Sequence, residues 1–194
     1  EEGVRRGQRR RDAQARWPEL LLLEANPDRD ARHFEPVLET VEGLRPGVAA
    51  LRPGLLAVRA PGRYFGGEAN AAAVLAETLV ESGVWDCRLG IADDLFTAEQ
   101  AARRARVQEC EVVAEGGSAA YLRDLLVEVL EADGPDGREM VGLLRRLGLR
   151  TLGDLAALPA DAVQHRFGRY GARVWRRARG EAPTLVAPRT PPPD

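Results

Sequence analysis

Apolar residues recur along this chain in two rhythms. Phe34, Val37, Leu38, Val41 and Leu44 follow the i, i+3, i+4, i+7 spacing of a helix with one apolar face. A helix is predicted over 28–44, capped by Asp28 or Asp30 and ended by Gly43 and Pro46. Two short apolar runs follow, 48–51 and 55–58, on either side of Arg52-Pro53-Gly54. Pro fixes φ and lacks a donor and Gly tolerates φ > 0, so the pair predicts a tight hairpin. Upstream, Leu20, Leu21, Leu22 and Leu23 lie between Pro18 and Asn26-Pro27. Residues 19–25 are too short for a stable helix and predict a buried strand.

The same reading gives a short helix over 12–16, stopped by Pro18. It gives helices over 68–82 and 94–106 and strands over 85–92 and 110–114. From Ser118 onward the pattern is helical: 119–132, 139–147, 152–158, 160–167 and 170–179, with 133–137 (Asp-Gly-Pro-Asp-Gly) separating the first two. Leu147, Leu152, Leu155, Phe167 and Trp175 are the expected core of that part. Tyr64, Phe65, Trp85 and Trp175 are read as core before interface. The fold class is α/β of the α+β kind, a largely antiparallel sheet with helices on one face, followed by an all-helical part. The Pro-rich residues 183–194 read as a linker. The chain starts without Met and stops in that linker, as expected of a piece of a longer protein.

At 194 residues there is room for one large or two small domains. All 28 basic residues are Arg. A high-GC genome produces such a bias, so Arg richness alone does not indicate nucleic acid. A net charge of −2 gives no global basic field. The distribution changes the picture. Arginines crowd 5–16, beginning with Arg5 and Arg6, and crowd the last third, with Arg145, Arg146, Arg150, Arg169, Arg173, Arg176 and Arg177 among them. Cys87 and Cys110 lack metal-ligand spacing and read as buried thiols of a reducing cytoplasm. No run approaches the ~20 apolar residues of a membrane span, and no signal peptide is visible.

Candidate chemistry is sparse. Residues 61–68 form a Gly-rich loop before a helix, but without the lysine and spacing of a P-loop they read as a plain strand-to-helix turn. Asp93-Asp94 at a helix start reads as a cap, with a metal pair as the alternative. From 43 to 67 there is no carboxylate at all.

The string 143–155 (Leu-Leu-Arg-Arg-Leu-Gly-Leu-Arg-Thr-Leu-Gly-Asp-Leu), with Leu158-Pro159, Arg166-Phe167-Gly168 and Ala178-Arg179-Gly180, resembles the thumb of Y-family (translesion) DNA polymerases. The resemblance implies short helices that offer backbone amides and basic side chains to duplex phosphates. It extends over nearly the whole chain: a fingers remnant over 1–18, a palm over 19–116, the thumb over 117–182 and a linker over 183–194. The first palm strand and most of the fingers would precede residue 1.

The departures matter. Where a Y-family palm carries Ser-Ile-Asp-Glu, this chain has Leu51, Arg52, Pro53 and Gly54. Two Mg²⁺ ions need oxygen ligands, and this turn offers none. The family's triphosphate-binding lysine corresponds to Leu95. Together with 53–58 and 63–68, these departures resemble the mutasome-associated branch of the family. That resemblance implies a chain that is not an enzyme and holds no cofactor or catalytic metal. It implies a scaffold and DNA-binding role in damage-induced mutagenesis, near the bacterial nucleoid. Its partners would be primer–template DNA, a RecA-like partner, an error-prone C-family polymerase and the sliding clamp, the protein partners bound through regions outside this chain. Two alternatives remain open: an active lesion-bypass polymerase with rearranged carboxylates at Asp93 or Asp94, and a purely protein-binding platform.

Overall fold

The computed structural model describes residues 3–4, 8–60, 65–182 and 187–190. Arg5, Arg6 and Tyr64, singled out above, lie outside the described residues.

Helix α1 (Arg10–Arg16) stops at Trp17, which turns extended ahead of Pro18. Helix α2 (Pro27–Leu44) starts one residue earlier than the apolar rhythm suggested. Its cap is Asn26, whose side chain accepts the Arg29 N–H at 2.9 Å, with Pro27 at the first helical position. Asp28 and Asp30 sit in the first turn instead and complement the dipole. The apolar face of α2 buries Leu38 and Val41 against Val48 and Leu79.

The leucine run between α1 and α2 is not the buried strand expected. Residues 20–26 have no regular structure, and Leu21 and Leu23 are 77% and 71% exposed. No ladder partner lies beside the run among the described residues, and a strand's backbone groups need one.

The hairpin forms as expected. Strands β1 (Ala49–Arg52) and β2 (Leu55–Ala57) pair antiparallel, and Gly54 takes a φ of 81° in the turn. Helix α3 (Glu68–Glu81) follows. Strand β3 (Leu89–Ile91) and strand β4 (Cys110–Val112) are parallel, joined by helix α4 (Leu95–Arg104). Gly90 lets α4 lie close on β3: a Cβ there would stand 2.2 Å from the Ala98 carbonyl oxygen. The sheet is therefore two separate two-stranded ladders, one antiparallel and one parallel. Strand β3 is shorter than the predicted 85–92, and Trp85, read as core, is 66% exposed.

The last third is helical: α5 (Ser118–Leu122), a 3-10 segment Val127–Asp133, α6 (Pro135–Arg146), α7 (Leu152–Ala156) and α8 (Ala160–Ala178). The single helix expected over 119–132 is broken because Leu126 is extended and bridges Thr151, while the Val127 N–H donates to the Arg150 carbonyl. The 133–137 separator shrinks to Gly134, with φ 89°, since Pro135 already opens α6. The two helices expected over 160–179 run on as α8, with a break at Gly168, whose φ is 62°.

Leu122, Leu130, Leu144, Leu152, Leu155 and Val174 form the core of this part, with Phe167 and Trp175 packed on it half-buried. Leu147, expected there, is at the surface. Phe96 of α4 joins the same core, so the helical part is packed onto the strand-bearing part. Beyond α8, the Arg189 N–H donates to the Val48 carbonyl at 2.8 Å, and the Arg189 guanidinium pairs with Glu35 and Glu42 of α2. Among the described residues, no helix is long and apolar enough to cross a membrane.

Candidate nucleic-acid interface

The hairpin 147–151 between α6 and α7 is built by local chemistry. Gly148, at φ 79°, lets α6 close its last turn, and its N–H donates to the Arg145 carbonyl. Thr151 caps α7 in a reciprocal box with Asp154. The Asp154 carboxylate accepts the N–H groups of Arg150 at 2.8 Å and Thr151 at 2.9 Å. These bonds hold the Asp154 carboxyl below its usual range. The N–H groups of Leu152 and Gly153 are taken by the carbonyls of Leu125 and Arg123.

The amides at the start of α7 are therefore satisfied within the chain. At α7, then, no amide is left over for a phosphate of the kind the resemblance implies for short helices. What remains on its surface is side chains.

The arginines sort into two groups. Arg146, Arg150, Arg169 and Arg176 are exposed and have no side-chain ion pair among the described residues. Arg145 is loosely tied, 3.4 Å from Glu128, with more than half its side chain in solvent. Arg173 lies over the Tyr170 ring at 5.0 Å. Arg177 is turned inward. It makes a forked pair with Asp133 at 2.6 and 3.3 Å, and its guanidinium stacks on the Phe96 ring at 4.0 Å. The free group lies at the end of α6, on the turn before α7 and on α8 beyond its break, with each side chain exposed.

The other candidate positions lie around a cleft of about 1360 Å³ between β2 and β3, lined by Arg52, Pro53, Gly54, Ile91, Asp94 and Leu95 among others. Arg52 points its guanidinium at Glu99 of α4, which also holds Arg103 at 2.7 Å. Burial pushes the Glu99 carboxyl up, but Arg103 and Arg52 outweigh it and leave it below the usual range. Leu95 opens α4. Asp94 is 2% exposed and spends both oxygens on Thr97, accepting its N–H at 2.9 Å and its hydroxyl at 2.7 Å. Asp93 accepts the Gly116 N–H at 2.6 Å. Asp94 is thus the cap read from the sequence, while Asp93 does not cap α4 and bonds the loop at Gly116 instead. Among the described residues, no three His, Cys, Asp or Glu side chains cluster as metal ligands.

The sequence reading did not find Phe96, Asp133, Tyr170 or Glu99. Their roles depend on contacts between segments 37 to 81 positions apart, which no local pattern carries.

No family model matches the chain. It is 36% identical over 101 residues to DNA polymerase IV of Dehalococcoides mccartyi, covering 52% of this chain and 25% of that protein. It is 29% identical over 100 residues to DNA polymerase IV of Caulobacter vibrioides, covering 52% of this chain and 24% of that one. This chain thus spans about a quarter of the length of these relatives. The crystal structure of DinB from Sulfolobus solfataricus superposes with a TM-score of 0.71 at 14% identity, over 95% of this chain and 54% of that one. The names correct one expectation. The carboxylate-free turn at Arg52-Pro53-Gly54 implied a chain that is not an enzyme, whereas the relatives are named as polymerases, which are enzymes. The chain is built on the Y-family polymerase fold, and over about half its length its sequence is related to proteins named DNA polymerase IV.

Proposed function

We propose that this chain is the DNA-holding part of a Y-family polymerase-type protein of translesion synthesis, with a palm over 19–116 and a helical thumb over 117–182. In this reading 1–18 is the end of the fingers and 183–194 is a Pro-rich linker. Arg146, Arg150, Arg169 and Arg176, with Arg145, grip the backbone of primer–template DNA without reading its sequence. The observation that carries the reading is the sorting of the thumb's arginines. Arg146, Arg150, Arg169 and Arg176 are exposed and, among the described residues, unspent on ion pairs, on a fold shared with DinB.

The strings 53–58 and 63–68 support a finer reading, an ImuB-like subunit of a bacterial mutasome. Its partners would then be a RecA-like protein, an error-prone C-family polymerase and the sliding clamp. Arg5 and Arg6 would add to the DNA contact from the fingers side.

The test is fluorescence anisotropy of this chain with a labelled primer–template across a salt series. Binding should weaken linearly in log salt, with a slope near −0.9 per phosphate neutralised. Arg146→Ala and Arg150→Ala should each reduce the slope by about 0.9 and weaken all sequences alike. No binding at micromolar protein and low salt would overturn the DNA-holding role and leave the protein-binding platform.

A further inference from the structure

Arg177 is the basic residue of the thumb whose charge is most fully spent inside the protein. Its side chain is 18% exposed and that of Asp133 is 23% exposed. The Tyr170 hydroxyl donates to the same Asp133 oxygen that Arg177 holds, at 2.7 Å. The flat face of the guanidinium covers Phe96, which is 6% exposed and sits at the start of α4. Three segments therefore meet on one side chain: α8 through Arg177 and Tyr170, the 3-10 segment through Asp133, and α4 through Phe96. A second contact spans the same boundary, with Arg104 of α4 over the Tyr121 ring of α5 at 5.5 Å.

We infer that Arg177 is a positioning residue for DNA binding: with Asp133, Tyr170 and Phe96 it fixes α8, and so the free arginines Arg169 and Arg176, against α4 of the palm. It touches no phosphate itself. This rests on the DNA-holding role proposed above.

A cation at the DNA surface and a cation in a joint respond differently to the same substitutions. Lysine serves a phosphate as a point charge, whereas it cannot supply the fork to Asp133 together with the planar stack on Phe96. Loss of a phosphate contact lowers the salt slope. Loss of preorganisation lowers affinity while the bound state still neutralises the same phosphates. Asp133→Asn removes a negative charge, which by charge alone strengthens DNA binding.

The experiment measures primer–template affinity of the chain and its Arg177→Lys, Arg177→Ala and Asp133→Asn variants across a salt series. It is done at a temperature where circular dichroism shows all of them folded. The expected result is weakening by about fivefold for both Arg177→Lys and Asp133→Asn, with the salt slope unchanged. Combining Asp133→Asn with Arg177→Ala should weaken binding no further than Arg177→Ala alone. The inference is overturned if Arg177→Lys binds like the parent while Arg177→Ala lowers the slope by about 0.9, since Arg177 then contacts a phosphate. Amide exchange without DNA keeps the joint testable should the parent chain fail to bind. Faster exchange in both α4 and α8 of Arg177→Lys supports the joint and leaves only the DNA role refuted; exchange unchanged in α4 overturns it.

Discussion

At the scale of single residues, the arginines show how little a formal charge says about its use. Arg176 and Arg177 are neighbours in sequence, yet one faces solvent and the other is spent on Asp133 and Phe96. The cost of that arrangement is visible in acid. Burial pushes the Asp133 carboxyl up, but the bonds from Arg177 and Tyr170 outweigh it and hold it below the ordinary 3.8. The unfolded chain therefore takes up this proton first as pH falls. The stability that Asp133 confers is fully present above its unfolded value and is lost as pH drops through its folded value. In urea melts between about pH 5 and pH 2, Asp133→Asn should show a shallower loss of stability than the parent, with the two chains differing most near neutral pH. Parallel curves would mean that Asp133 is not held in its charged form by the joint. The Tyr170 phenol moves the other way, pushed up by burial and by the Asp133 carboxylate, so it stays a donor throughout that range.

At the scale of elements, what the sequence shows depends on how local the cause is. The hairpin at Pro53-Gly54, the span of α2, the Asp94 cap and the break near Gly168 were all legible, because each is set by residues within a few positions. The leucine run at 20–23 was not, because four apolar residues specify a strand only if another strand is beside them. Nor was the pairing of β3 with β4. Alternation cannot tell a parallel from an antiparallel neighbour, and the pairing follows from how α4 lies across them. Gly90 is the residue that permits this crossing. Gly90→Ala should destabilise the chain by ~1–3 kcal/mol, because its Cβ would meet backbone atoms of α4 that cannot give way. Gly43→Ala, in α2 with open space at its Cβ, should stabilise by about 0.5 kcal/mol through helix propensity alone. Urea midpoints at constant m-value separate the two. A neutral Gly90→Ala would show that α4 can ride higher on β3 than it does.

At the scale of the whole molecule, the chain closes on itself. The helical part is joined to β4 through 113–117 and is packed on α4 by the Phe96 core. A second tie comes from beyond α8. Arg189 reaches Glu35 and Glu42, two turns apart on one face of α2, and its N–H extends the backbone bonding of the hairpin at Val48. The Arg189 hydrogen bonds hold the Glu42 carboxyl below its usual range. This tie places Arg189 beside α2 and the start of the hairpin, on the strand-bearing part of the molecule. Arg189→Ala keeps the backbone N–H but removes both carboxylate contacts. The amide of residue 189 should then exchange faster, while those of the α6–α8 core, which do not depend on the tie, exchange as before. Equal exchange at residue 189 in both chains would show that the Val48 bond holds the segment by itself. The placement of Arg189 would then be set by the backbone, and the two glutamates of α2 would be surface charges with no part in it.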